Sequence, residues 1–119
     1  MNSSSVVDSE LLDLLYLDDV EGAVLFRTDG SVIGAAYGDN YSQALLRVLQ
    51  WTKGNIEKVS AEMKGNNLQK VTYELADANI LFFAVNSTVI LTTLANKTAN
   101  LSLLAVESKR KSHILSKFL

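Results

Sequence analysis

The sequence predicts an α/β (α+β) domain with three layers, α/β/α, around a five-stranded antiparallel sheet. Three segments are largely apolar, at residues 23–26, 80–85 and 89–94, which is typical of strands buried on both faces. Two further segments, at residues 32–36 and 68–75, are less apolar and are expected at the edges of the sheet. Three stretches with helical periodicity complete the predicted element order, αββαβββα.

The first elements are expected to be a short helix and a β-hairpin. Residues 1–7 are predicted to form a disordered lead-in, and residues 8–119 a single domain. Asp8 or Ser9 can cap a first helix that runs to about Leu17. The pair Asp29-Gly30 then suits a type I′ turn, because both central residues of that turn need a positive φ.

The longest helix is expected from Tyr41 to about Lys64, with Asp39 or Asn40 at its N-cap. Gly54 lies inside this segment. Glycine in a helix interior lowers the stability of the helix by about 1 kcal/mol relative to alanine, so Gly54 could kink or split it. Apolar residues recur at three- and four-residue spacing and share one face of the helix. They are Tyr41, Leu45, Val48, Leu49, Ile56, Val59 and Met63.

Three strands and a last helix are expected to follow. Residues 68–75 alternate between apolar and polar side chains, which indicates a half-exposed strand. Thr98 or Asn96 can cap the last helix, from about Ala99 to Phe118. The sheet order that places the apolar strands in the middle is 2-1-5-4-3. The long helix then covers one face of the sheet, and the first and last helices cover the other.

Composition disfavours several classes of function. A net charge of −2 provides no basic excess for nucleic-acid binding. The chain has no cysteine and one histidine, His113, which excludes thiolate and multi-histidine metal sites. His113 has no acidic neighbour in the sequence to orient it, so it is interpreted as a surface residue rather than a general base. We therefore expect no cofactor, no metal and no enzymatic activity.

The sequence predicts a cytoplasmic location. The N-terminus lacks the basic region and apolar core of a signal peptide, and no apolar run is long enough to cross a bilayer. The sequence also lacks a phosphate-binding Gly-x4-Gly-Lys-Ser/Thr loop, so the chain itself is not expected to bind GTP.

With this order of elements, the chain resembles the roadblock/dynein light chain family. The resemblance covers residues 8–118. The chain departs from the family pattern at two positions: Ser102 stands where many relatives have glycine, and Gly54 lies in a helix that is usually uninterrupted. The segments that carry it are Val20–Phe26, Asp29–Ile33, Tyr37–Asp39 and Ala99–Leu104.

The resemblance implies a non-catalytic dimer that scaffolds or regulates a Ras-like small GTPase and modulates its switch state or location. The second subunit would be another copy of the chain or a roadblock paralogue, bound through the long helix and the third strand. The alternative is a structural light chain of a motor or other large assembly, which binds a peptide segment of its partner. A partner could also bring the protein to a membrane.

The expected dimer interface consists of Leu46, Gln50, Trp51, Val71 and Tyr73. Trp51 lies at the margin of the apolar helix face, and tryptophan is favoured at interface centres. The alternative is an amphipathic tryptophan at the rim of the core and a singly exposed leucine, which surfaces tolerate. The third strand, at a predicted edge, has unpaired backbone groups that favour pairing with another chain.

The basic run Lys109-Arg110-Lys111 on the last helix is a second candidate site, for a partner's acidic surface or for acidic lipid. The alternative is a solvated helix end, because cations are favourable at helix C-termini.

Overall fold

A computed structural model gives the structure of residues 3–38 and 43–119. Within these residues the chain forms three helices and five strands in the predicted order. The helices are α1 (Ser3–Leu15), α2 (Gln43–Gly65) and α3 (Leu101–Leu115). The strands are β1 (Val20–Arg27), β2 (Val32–Tyr37), β3 (Lys70–Glu74), β4 (Asn79–Asn86) and β5 (Val89–Ala95).

The five strands form one antiparallel sheet in the order β2-β1-β5-β4-β3, which confirms the predicted topology. Strands β1, β4 and β5 are buried along most of their length, whereas β2 and β3 are partly exposed. In the centre of the sheet, Leu91 of β5 lies between Leu25 of β1 and Phe83 of β4. The apolarity of each strand therefore matches its place in the sheet.

Two hydrophobic clusters lie on opposite faces of the sheet. One lies under α2 and includes Phe26 and Ile56. The other lies under α1 and α3 and includes Leu11 and Leu115. Full burial of such a side chain stabilises the fold by roughly 1.5–3 kcal/mol. The predicted three-layer arrangement is confirmed.

Helix α1 already includes Ser3, so residues 3–7 are helical and the expectation of a disordered lead-in there is wrong. The expected caps at Asp8 and Ser9 are wrong for the same reason. The cause is tertiary packing, because Val7 is buried against β2 at a position where Gly34 leaves space. A Cβ atom at residue 34 would lie 3.0 Å from Val7 Cγ1.

The β1–β2 hairpin has a different turn from the predicted type I′ turn. Gly30 has a φ of 95°, but Asp29 has no positive φ. Gly30 N donates to Arg27 O at 2.9 Å, and Arg27 N donates to Ser31 O at 2.8 Å. Asp29 Oδ1 accepts from Ser31 N at 2.9 Å. The loop is thus a type I turn followed by a bulge, in which glycine alone takes the left-handed conformation.

Helix α2 runs without interruption from Gln43 to Gly65, so Gly54 does not split it. Gly54 is exposed, and a Cβ atom there would meet nothing within 4 Å. The apolar face is confirmed where it is described: Ile56, Val59 and Met63 are buried, and Leu49 packs against them in part. Asp39, Asn40 and Tyr41 lie outside the described residues, as do the side chains of Leu45 and Val48.

Helix α3 is capped by Asn100, so the expectation of Thr98 or Asn96 is wrong. Asn100 Oδ1 accepts from Leu103 N at 3.1 Å. Asn96 Oδ1 instead accepts from Thr98 N at 3.0 Å and stabilises the turn before the helix. The helix ends at Leu115, short of the predicted Phe118.

Candidate functional site

Strand β3 forms one edge of the sheet, and within the described ranges it pairs with β4 alone. Two hydrogen bonds show the direction of its backbone groups. Leu75 N donates to Ala78 O at 2.8 Å, and Ala84 N donates to Gln69 O at 3.0 Å. Hydrogen-bonded pairs alternate along antiparallel strands. Odd-numbered residues of β3 therefore direct their N–H and C=O groups towards β4, and even-numbered residues direct theirs away from the sheet.

The outward-facing backbone groups belong to Lys70, Thr72 and Glu74, whose side chains are exposed. The side chains of Val71 and Tyr73 point to the other face and pack against the cluster under α2. A row of outward N–H and C=O groups is a template on which another strand can pair. Strand β3 therefore offers backbone hydrogen bonds to a partner without losing its own pairing with β4.

Aromatic contacts tie α2 to this edge. The ring centroids of Trp51 and Tyr73 are 5.2 Å apart, with planes at 59°. Tyr73 also meets Phe82 of β4 edge-on, with centroids 5.7 Å apart. The Tyr73 hydroxyl donates to Glu62 Oε2 at 2.8 Å. Burial raises the pKa of this hydroxyl above 10.0, and the Glu62 hydrogen bond and charge act in the same direction, so it stays protonated.

The predicted interface residues are only partly in mutual contact. Trp51 is half-buried against Tyr73, whereas Leu46 and Gln50 occupy successive turns of α2 and are exposed, Leu46 at 48%. Arg47, between them, forms an exposed ion pair with Asp77 at 3.1 Å. The exposed side chain of Leu46 and the half-buried ring of Trp51, which contacts Tyr73 of the open strand, leave apolar surface of α2 in water. We refer to Leu46, Gln50, Trp51, Val71 and Tyr73 as the α2–β3 surface.

The basic run on α3 does not form one surface, because Lys111 is 4% exposed. Its Nζ donates to Asp13 Oδ2 at 2.8 Å and also to Glu10, so it joins α3 to α1. Burial alone lowers the pKa of Lys111, but the hydrogen bonds and charges of Asp13 and Glu10 outweigh it, and the pKa is raised. The expectation that Lys111 contacts a partner or lipid is therefore wrong.

Sequence reasoning missed the two acids that bind Lys111. They precede it by 101 and 98 residues, so no local pattern connects them. Their spacing of three residues, which places both on one side of α1, was the only available signal. Arg110 pairs instead with Glu107 at 2.9 Å and is exposed, and Lys109 forms no ion pair within the described part of the chain.

A metal site and a membrane-spanning helix each place specific requirements on the described residues. Across residues 3–38 and 43–119, no three His, Asp or Glu side chains come together in a way that could hold a metal ion. His113 is exposed on α3. In the same part of the chain, no helix combines the length and apolarity needed to cross a membrane. The chemistry that the α2–β3 surface and β3 offer is backbone hydrogen bonding and apolar contact.

The sequence model of the AF0774-like protein family matches residues 4–109 of the chain. No curated protein matches it.

Several solved structures share the fold. MglC from Myxococcus xanthus aligns with a TM-score of 0.82 at 9% identity, over 93% of this chain and 97% of that chain. Gliding protein MglB from Thermus thermophilus aligns with a TM-score of 0.75 at 16% identity, over 98% of this chain and 87% of that chain. A Roadblock/LC7 domain from Streptomyces avermitilis aligns with a TM-score of 0.70 at 18% identity, over 93% of this chain and 95% of that chain. At these identities the likeness establishes the fold, and the predicted resemblance to roadblock domains is confirmed.

Proposed function

Because this chain belongs to the AF0774-like protein family and has the fold of a roadblock domain, we propose that it is a non-catalytic, cytoplasmic dimer that binds a Ras-like small GTPase. It modulates the switch state or the location of that GTPase by favouring one of its conformations. A partner could bring the complex to a membrane.

The observation that carries this proposal is the open edge of β3 beside the α2–β3 surface. Pairing of two β3 strands joins two five-stranded sheets and gives the outward groups of Thr72 and its neighbours their hydrogen-bond partners. Trp51 contacts Tyr73 of this edge strand, and Leu46 is exposed on the same helix. Both apolar side chains lose contact with water when a second α2 covers them.

Strand β3 is also complementary to itself, because residues 70–74 read Lys-Val-Thr-Tyr-Glu. Antiparallel pairing of two copies centred on Thr72 places Lys70 opposite Glu74 of the second copy, at both ends of the pair. Val71 then lies opposite Tyr73 of the second copy. Directly opposed unlike charges are favourable and like charges are unfavourable. A shift of the register by two residues loses both ion pairs, so charge selects this register.

Reversing one of these charges should weaken the dimer. Lys70→Glu or Glu74→Lys alone places like charges opposite each other twice, and we expect about 1–3 kcal/mol of lost association energy. That corresponds to an increase of about 5-fold to 150-fold in the dissociation constant, measured by sedimentation equilibrium at low salt. The double variant Lys70→Glu, Glu74→Lys restores the opposed charges and should restore the affinity. Equal weakening in all three variants would contradict the proposed register.

Affinity for a small GTPase should depend on the bound nucleotide. We expect the immobilised chain to retain a small GTPase from extracts of the source cell in the presence of either GDP or a non-hydrolysable GTP analogue, but not equally. Titration of that purified GTPase should then give affinities that differ by about tenfold, or 1.4 kcal/mol. Failure to bind any small GTPase in either state would overturn the proposal.

A structural light chain is the second candidate, and the same open edge supports it. An edge strand can bind an extended peptide of a larger assembly as readily as a second copy. Equal affinity for both nucleotide states, together with tight binding of a peptide that competes with dimer formation, would favour this alternative.

A further inference from the structure

A cleft of about 470 Å³ lies on the face of the sheet opposite α2, between α3 and the adjoining ends of β3 and β4. This volume falls within the roughly 300–1,000 Å³ typical of small-molecule sites. The sheet separates the cleft from the side chains of the α2–β3 surface. It is therefore a second site, and Lys70 is the residue that it shares with the proposed pairing of β3.

The base of the cleft is apolar. Phe83 and Val85 of β4 are 4% and 9% exposed and form its floor, with Ala105 of α3 beside them. Val106 of α3 also lines the cleft but is 63% exposed. A ligand with an apolar body would remove this valine from water and contact the two strand residues at the same time.

The rim of the cleft is cationic. Lys70 and Lys109 line it, and no acidic side chain does. Neither ammonium group forms an ion pair with any residue that the structure describes, whereas Arg110 and Lys111 on the same helix are both paired. Unpaired cations above an apolar floor are complementary to an anionic group carried on an apolar body.

The hydroxyl groups in the cleft do not compete for this role. Ser112 donates to Lys109 O at 2.8 Å, and Ser116 donates to His113 O at 2.6 Å. Their protons are therefore committed to the helix backbone. The remaining donors for an anion are the ammonium group of Lys109 and an imidazole N–H of His113. Lys70 adds a third donor in a single copy of the chain, but it faces Glu74 of the second copy in the proposed dimer.

We propose that this cleft binds an amphiphilic anion, namely a carboxylate carried on an alkyl chain. The alkyl chain lies against Phe83, Val85 and Val106, and the carboxylate faces Lys109. This inference stands apart from the proposed GTPase function and does not depend on it. Because Lys70 also lies on the open edge of β3, Lys109 is the residue that tests the cleft alone.

The test is titration of decanoate, below its micellar concentration, into the full chain. Calorimetry should give saturable binding of one decanoate per chain. Amide chemical-shift changes in NMR spectra should concentrate at Val106, Lys109 and His113. Acetate lacks the apolar body, and decyltrimethylammonium carries the opposite charge. Each should therefore bind at least about tenfold more weakly than decanoate.

Two exposed positions allow matched variants that leave the core intact. Lys109→Glu removes the facing cation and Val106→Asp removes the apolar wall, so each should weaken decanoate binding about tenfold or more. Lys117→Glu changes an exposed lysine outside the cleft and should stay within about twofold of the original affinity. Circular dichroism should show the same fold for all three.

Four outcomes would overturn the inference. They are absence of saturable binding at millimolar decanoate, equal binding of decyltrimethylammonium, an unchanged affinity in Lys109→Glu, and stronger binding of an oligoglutamate peptide than of decanoate. The last result would mean that the cleft recognises acidic protein segments rather than small amphiphiles.

Discussion

Replacing Thr72 with proline should convert the dimer into a monomer. The Thr72 N–H points away from the sheet, so proline removes a donor that a second β3 would use and leaves the β3–β4 ladder intact. In a symmetric pair of β3 strands this donor is lost from both copies, and each loss leaves a buried carbonyl of the other copy without a hydrogen-bond partner. At about 1–3 kcal/mol for each unsatisfied group, we expect a loss of about 3 kcal/mol or more, which exceeds a hundredfold in affinity.

Light scattering at micromolar concentration measures this directly. The original chain should have twice the 13.0 kDa mass of one copy, and Thr72→Pro should have the mass of one copy. Thr72→Val is the matched control, because it keeps the N–H and should remain dimeric. Tyr73→Pro is unsuitable, since the N–H of Tyr73 faces β4 and its loss would damage the fold. A dimer that survives Thr72→Pro would place the interface elsewhere.

Neutralising both acids around Lys111 should destabilise the fold by about 3–5 kcal/mol, because a buried cation is left without compensation. The variant is Glu10→Gln with Asp13→Asn, and the measurement is urea unfolding. A typical domain has only about 5–15 kcal/mol of stability, so the effect is large. Adding Lys111→Met to this variant should recover most of the loss, because the uncompensated charge is then absent.

The matched control is Glu107→Gln, which breaks the exposed ion pair with Arg110 and should cost less than about 1 kcal/mol. The pH dependence supplies a second check. The pKa of Lys111 is raised above its ordinary 10.5 in the folded state, so its stabilisation is complete below that pH and is lost as the pH rises through the folded-state pKa. In Lys111→Met this alkaline loss should disappear. An equal cost for the buried and exposed pairs would show that burial of Lys111 has no energetic consequence.

The sheet could be predicted from the sequence because its information is local. Apolar runs at β1, β4 and β5 place these strands in the centre, and the alternation at β3 places it at an edge. The predictions that were wrong concern features that depend on contacts between residues far apart in the sequence. Helix α1 extends to Ser3 because Val7 packs against β2 at Gly34, and periodicity within residues 1–17 does not contain that contact.

The candidate site was predictable to a smaller extent. Trp51 and Tyr73 were chosen from separate elements and do meet, at 5.2 Å. The direction of each backbone N–H on β3 could not be derived, because it depends on which residues of β4 form hydrogen-bonded pairs. The burial of Lys111 could not be derived for a similar reason, since a lysine buried between two helices and one in water have the same local sequence.

The charges at the two ends of β3 also bear on how a family of such proteins could diversify after gene duplication. On the proposed pairing, a copy with Lys70→Glu has acids at both ends, and a copy with Glu74→Lys has bases at both ends. Each repels itself and attracts the other. One substitution in each duplicate would therefore turn a self-pairing strand into an orthogonal pair, and the choice between homodimer and heterodimer would rest on two exposed side chains rather than on the core.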